Sequence, residues 1–259
     1  ADQWVDVEEG QTDRSKVALI AALGGPYDQG SGLMNDGLRN LGLVPVSEPY
    51  TALGYSIEGV KLVRNIPQSV LNVTGSNAIV DWVWLELRDA INPATVRGQR
   101  PALLQRDGDV VELDGVRPVA MGVPNGNYHV VVRHRNHFGA MTNAPLALGA
   151  APTTVNFKLP GTLTYGTNAR KDINGTLVLW DGNTRDDALL KYAGSNNDRD
   201  PILVRIGGTV PTASVSGYYQ EDVNMNGQVK YAGSANDRDP ILVNIGGSVP
   251  TASRTEQVP

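Results

Sequence analysis

The 259-residue sequence contains no cysteine, which removes disulfides, thiolate metal sites and thiol catalysis together. Phenylalanine (2) and methionine (4) are scarce, whereas glycine (29) and proline (16) are plentiful. That balance disfavours long helices and favours short strands joined by many turns. No apolar run approaches the roughly 18 residues that span a bilayer, which predicts a chain that is not transmembrane. Lysine and arginine nowhere cluster and the formal net charge is −5, which argues against a nucleic-acid partner gripped through its phosphates. With 41% hydrophobic and 19% charged residues, the chain can bury one or two cores. It opens on Ala1-Asp2-Gln3-Trp4, with neither a start Met nor a signal peptide, and reads as a processed N-terminus. Outside the cell a cysteine-free chain needs another staple, and metal ions are the expected substitute.

What is present includes an internal duplication. Residues 191–214 (KYAGSNNDRDPILVRIGGTVPTAS) recur as 230–253 (KYAGSANDRDPILVNIGGSVPTAS) with a period of 39 and 21 of 24 positions identical. The two copies predict one structural unit used twice as a facing pair, since a solenoid wants at least three. Upstream, turn signals separate short apolar runs at sandwich spacing. Strands are expected at Val17–Leu23, Ser69–Val73, Ala78–Arg88, Ala102–Arg106, Val110–Leu113, Val119–Val123, Asn127–Arg135, Pro145–Leu148 and Thr153–Leu159. Ala78–Arg88 carries apolar residues on both faces and reads as a central strand; Met34–Leu41 reads as one or two helical turns. Residues 1–16 are acidic and carry Trp4, Val5 and Val7 with no nearby partner, so they are expected as an extended tail that adds a strand to a neighbouring subunit.

Asp222-Val-Asn224-Met-Asn226-Gly227-Gln228 has the spacing of an EF-hand-type calcium loop. Calcium takes six to eight oxygens, so side chains at loop positions 1, 3 and 5 converge on it, glycine at 6 allows the sharp turn, and residue 7 gives a carbonyl. Asp222, Asn224, Asn226 and Gln228 fill these places. Position 12 falls on Gly233, which has no side chain to ligate. Asp237 is therefore the expected closing acid of a loop lengthened by about four residues. Asp239 is expected either as a further ligand or as the N-cap of a short helix at 240–245 that Gly246-Gly247 ends. In the first copy Asn183, Asp187, Asp198 and Asp200 occupy the matching places, but Arg185 stands at position 3 and Ala188 replaces the glycine. A weaker site, one using Asp181 or Asp186, or a structural echo are the alternatives there. Its helix is expected at 201–206.

His129, His134 and His137 fall in NYHVVVRHRNHFG. On a strand His129 and His134 face opposite ways, so hydrogen-bonded strand-end histidines are expected, and His134 meets His137 only if the chain turns. No G-x-S-x-G, H-E-x-x-H or phosphate loop is present, and nothing demands an enzyme. Asn72-Val-Thr74 and Asn174-Gly-Thr176 match a glycosylation pattern that chance often produces.

Several segments together resemble the C-terminal module of large secreted adhesin- or haemagglutinin-like proteins of Bacteroidetes. They are Gly32-Leu-Met-Asn-Asp-Gly-Leu-Arg39, Glu48-Pro-Tyr-Thr-Ala-Leu-Gly-Tyr55, Ala78-Ile-Val-Asp-Trp82, Leu104-Gln-Arg-Asp-Gly-Asp109, Gly126-Asn-Tyr-His-Val130, Val132-Arg-His-Arg-Asn-His137, the paired Asn-Asp-Arg-Asp-Pro-Ile-Leu-Val runs and Arg254-Thr-Glu-Gln-Val-Pro. The duplicated repeat also resembles a dockerin-type calcium module, with the lengthened loop and the altered first copy as departures. The resemblance implies a secreted, extracellular or cell-surface protein with a structural or adhesive role and no catalytic residue. The expected architecture is mainly β. A tail (1–16) precedes an immunoglobulin-like β-sandwich (17–160), a linker (161–171), a dockerin-like α/loop Ca2+ domain (172–253) and a C-terminal tail (254–259). The expected function is a calcium-stabilised filament subunit that self-associates into a homopolymer through its N-terminal tail, with a cell-surface protein or glycan as a further partner. The alternatives are a secretion or cell-surface anchoring module and a metal-dependent glycan-active enzyme around His134 and His137.

Overall fold

The computed structural model describes residues 14–56 and 63–259 and is mainly β, with 37% strand and 10% helix. Strand β1 spans Arg14–Ile20; β2 (Tyr27–Asp28) and β3 (Leu33–Met34) form a small hairpin that leads into the single turn α1 (Gly37–Asn40). A second turn, α2 (Gln68–Leu71), lies where a strand was expected over Ser69–Val73. Pro67 sets its start, and only Val70 and Leu71 are buried, a pattern too short to separate helix from strand by period. Strands β4 (Ile79–Asp89), β5 (Val96–Gln105), β6 (Asp109–Val111), β7 (Val119–Pro124), β8 (Gly126–His134), β9 (His137–Met141), β10 (Leu146–Leu148) and β11 (Thr153–Asn156) complete a nine-stranded sheet.

The strand order is β10-β8-β4-β5-β6-β1-β11, with β9 continuing along β8 and β7 along β1. Every pair is antiparallel except β1 with β11. Central β4 is covered on both faces, as its two-sided apolar pattern requires; Trp82, Val83, Trp84, Leu85 and Leu87 are all buried. The Lys16 N–H donates to the Gly149 carbonyl at 2.9 Å, which brings the end of β10 back beside β1 and curls the sheet around one core. Residues 161–171 are not a free linker. Thr142 bridges Thr164, the Tyr165 N–H donates to Met141, and Ala169 is buried.

Beyond the sheet come the hairpin β12 (Arg170–Ile173) and β13 (Thr176–Leu179), then β14 (Leu189–Lys191), α3 (Arg199–Arg205), β15 (Ser214–Ser216), β16 (Gln228–Lys230), α4 (Arg238–Asn244) and β17 (Ser253–Thr255). The duplicated copies exchange strands. Strand β15, after the first copy, pairs β16 of the second, while β17, after the second, pairs β14 of the first. The registers match under the 39-residue offset: Ser214 opposes Lys230 as Ser253 opposes Lys191. The two copies thus form a facing pair with local two-fold symmetry, sharing a second core of Leu190, Ile202, Val229 and Ile241. Phe138 of β9 enters that core, and Met225 of the second copy enters the main one, so the two cores interlock.

The last six residues also belong to the fold. Glu256 accepts from the Gly139 N–H at 2.6 Å and from Arg133 Nη1 at 2.8 Å, and Arg88 donates to the Pro259 carbonyl. Trp4, Val5 and Val7 lie outside the described residues. No helix among the described residues is long and apolar enough to cross a membrane.

Candidate metal centre

The second loop folds back on itself through short-range side-chain bonds. Asp222 accepts from the N–H groups of Asn226 (3.1 Å) and Gly227 (2.8 Å), Asn224 Oδ1 from Asn226 N–H (3.1 Å), and Asn226 Oδ1 from Gln228 N–H (2.8 Å). Met225 and Gly227 take positive φ, 57° and 85°, and make the sharp bend. Asp237 turns back onto the start of the loop. Its Oδ1 accepts Val223 N–H at 2.8 Å and its Oδ2 accepts Lys230 N–H at 2.7 Å, fourteen and seven positions apart in a loop no pattern of twelve would hold. Asp222, Asn224, Asn226, Gln228 and Asp237 are therefore gathered by one loop.

The charge in this loop is unusual. Asp222 and Asp237 are both fully buried. Burial first, and then the neighbouring Asp222 carboxylate, push Asp237 up to about 7. Burial also raises Asp222, with Arg135 opposing it. A buried acid whose ionisation a neighbouring buried carboxylate disfavours is the electrostatic counterpart of a site for a hard divalent cation. Among the described residues no three His, Cys, Asp or Glu side chains gather as a metal cluster, and what the loop offers is two carboxylates with asparagine and carbonyl oxygens. That set fits calcium in kind.

Asp239 does not join it, and neither does its counterpart Asp200. Each turns outward to the adjacent arginine, Arg238 or Arg199, at 3.0 and 3.1 Å. Nor is Asp239 the N-cap. The helix starts at Arg238, and Asn236 caps it by accepting the Asp239 N–H at 2.8 Å, because the Asp237 side chain is already committed to the loop. In the first copy Asn183 and Asp198 keep the same framework: Asp198 accepts Thr184 N–H at 3.0 Å and Lys191 N–H at 2.8 Å, and burial pushes it up to about 7. Position 3 differs. Arg185 Nε lies 3.7 Å from Asp187 Oδ2, so a guanidinium already faces the acid. Asp186 accepts the Tyr55 hydroxyl at 3.2 Å, whereas Asp181 lies 3.6 Å from Lys171 Nζ and its buried Oδ1 makes no hydrogen bond. Comparison with family models, curated proteins and solved structures finds no match to this chain.

All three histidines are buried and hydrogen-bonded. The chain does turn, and His134 Nδ1 meets His137 Nδ1 at 3.0 Å between β8 and β9. Gly25 N–H donates to His137 Nε2 at 3.1 Å, so that nitrogen is unprotonated and the ring proton sits on Nδ1. His134 in turn gives its Nε2 proton to Asp81 Oδ2 at 3.1 Å. His129 lies apart, bonded to the Thr142 carbonyl at 2.9 Å. Burial lowers His134 and lowers His137 well below the ordinary value, with the neighbouring His134 adding to the second. The sign follows: the unfolded chain takes up these protons near pH 6.5 while the fold refuses them, so the stability held by neutral His137 is lost as pH falls below that value. Asp198 and Asp237 act in the opposite sense, because the fold binds their protons up to about pH 7. A comparison of His137→Gln with the parent isolates the histidine. The variant is expected to be less stable at pH 7.5, with the gap narrowing steadily from pH 6.5 to 5 in urea melts; a constant gap would refute a neutral buried His137.

Sequence reasoning missed the groups that hold the loop from outside, namely Gly25, Asp81, Arg135 and Asn136. The run HRNH was visible, but its spacing speaks only to its histidines; the partners of Arg135 and Asn136 that precede and open the second loop, Tyr219 and Asp222, lie 84 and 86 residues further along the chain.

Proposed function

We propose that this chain is a structural or adhesive protein of the cell exterior, an immunoglobulin-like β-sandwich bearing a dockerin-like repeat pair that is braced by one calcium ion. Asp222, Asn224, Asn226, Gln228 and Asp237 would hold the ion. The observation that carries the reading is the burial of two acids in one loop whose remaining oxygens come from asparagine and main chain. A bound calcium would bring into the second loop a positive charge like the one Arg185 brings to the first. Outside cells, weak sites with dissociation constants of about 10⁻⁴–10⁻³ M suffice for extracellular modules. We further propose assembly into a homopolymer through residues 1–13, with Trp4, Val5 and Val7 as the contact, so that the fold serves as a repeating unit.

The melting temperature should rise on adding calcium after chelation, by the equivalent of about 2.7 kcal/mol when calcium exceeds the dissociation constant 100-fold. Asp222→Ala should melt in calcium where the chelated parent does. Identical melting of the parent with and without calcium would sink the calcium reading. Assembly is tested separately by deleting residues 1–13. Loss of fibres in negative-stain images with unchanged melting is expected, and fibres that persist would sink that contact.

A further inference from the structure

One turn of the sheet touches both halves of the repeat pair. Asn136, fully buried between β8 and β9, accepts at its carbonyl from the Gly182 and Asn183 N–H groups at 3.1 and 3.0 Å. Its side-chain amide donates to the carbonyls of Gln220 at 3.0 Å and Asp222 at 2.8 Å. Under the 39-residue offset Asn183 corresponds to Asp222, so a single residue grips equivalent points of the two copies, with its main chain on one side and its amide on the other. The held residue, Asp222, is the first coordinating position of the second loop, and its carboxylate organises Asn226 and Gly227. On the opposite flank Gly25 packs directly against the Val223 carbonyl while its N–H holds His137.

A coordinating side chain is only as well placed as the groups that fix its backbone. We infer that Asn136 is a positioning residue of the second loop's cation site, and that the site is complete only while the repeat pair is docked on the turn His134–His137. The inference rests on the calcium reading above. By linkage, an ion bound in the loop must also tighten that turn.

The test is calcium titration of the full chain by calorimetry. Asn136→Ala keeps the main-chain carbonyl that serves the first copy and deletes the side-chain amide, whose nitrogen serves the second copy and whose oxygen meets His137 Nδ1 at 2.8 Å. Its calcium affinity should fall roughly 10–100-fold, the usual loss when an outer partner of a ligand is removed. Val123→Ala, a core truncation in β7, should leave the affinity unchanged and so controls for lost stability alone. Equal affinity of Asn136→Ala and the parent overturns the inference while leaving the calcium reading intact, whereas a parent that gives no calcium heat removes both. Should Asn136→Ala fail to fold, hydrogen exchange on the parent decides. Calcium should slow the amides of Gly25, Phe138, Gly182 and Asn183 together with those of 222–228, and slowing confined to 222–239 would overturn the inference.

Discussion

Asp81→Ala is expected to cost the fold about 3–5 kcal/mol, because it strands a buried arginine. Asp81 is fully buried in β4 and accepts the Trp82 N–H at 2.8 Å, the Tyr218 hydroxyl at 2.6 Å, His134 Nε2 at 3.1 Å and Arg135 Nε at 3.1 Å. Burial by itself would raise the carboxyl, yet the Arg135 guanidinium together with the bonds from His134 and Tyr218 outweighs it and the group is held below its ordinary value. Arg135 in turn has its charge held on by Asp81 despite complete burial. Without the acid, the guanidinium keeps the Tyr219 carbonyl, the face of Tyr218, 4.2 Å from the ring centre, and the field of the Asp222 carboxylate. Because Tyr218 and Tyr219 precede the second loop, the loss should be felt at the seam between sheet and repeat pair as well as in β4. Urea unfolding measures it. A change within 1 kcal/mol of the parent would mean that Asp81 is not the charge that keeps Arg135 in place.

Gly25→Ala should be the most damaging of the small substitutions, by roughly 3 kcal/mol. A methyl at Gly25 would fall well inside the van der Waals reach of the Val223 carbonyl oxygen, which is backbone and has little room to give. Retreat of residues 220–223 would also loosen the Gly25 N–H bond to His137 and the Asn136 bond to Asp222. Thermal melting in calcium and in chelator reads both consequences: a lower midpoint in each, and a smaller calcium increment than in the parent. Parent-like melting in both conditions would show that the close approach is not needed.

Local chemistry was legible because it is written over short distances. Asp222, Asn224, Asn226 and Gly227 form a turn whose bonds span two to five residues, and the closing role of Asp237 followed from where a twelve-residue loop runs out of acids. The apolar periods of Val119–Pro124 and Ile79–Asp89 likewise marked strands. Where the signal was four or five residues long, as at Ser69–Val73, the same apolar run served a helical turn. Asp239 was misplaced because Asn236 and Asp237 compete for the cap, and only the loop's demand for Asp237 decides between them.

The sequence by itself determined that the chain has two equivalent repeats, a strand-rich body, and one loop better supplied with oxygen donors than its twin. Tertiary structure alone decided that the repeats trade strands, that residues 161–171 and 254–259 are built into the body, and that the turn at Asn136 is wedged between the two loops. The reason is physical. Periodicity and turn chemistry act between neighbours along the chain, whereas a buried amide, carboxylate or guanidinium must find a partner wherever the packed core happens to bring one.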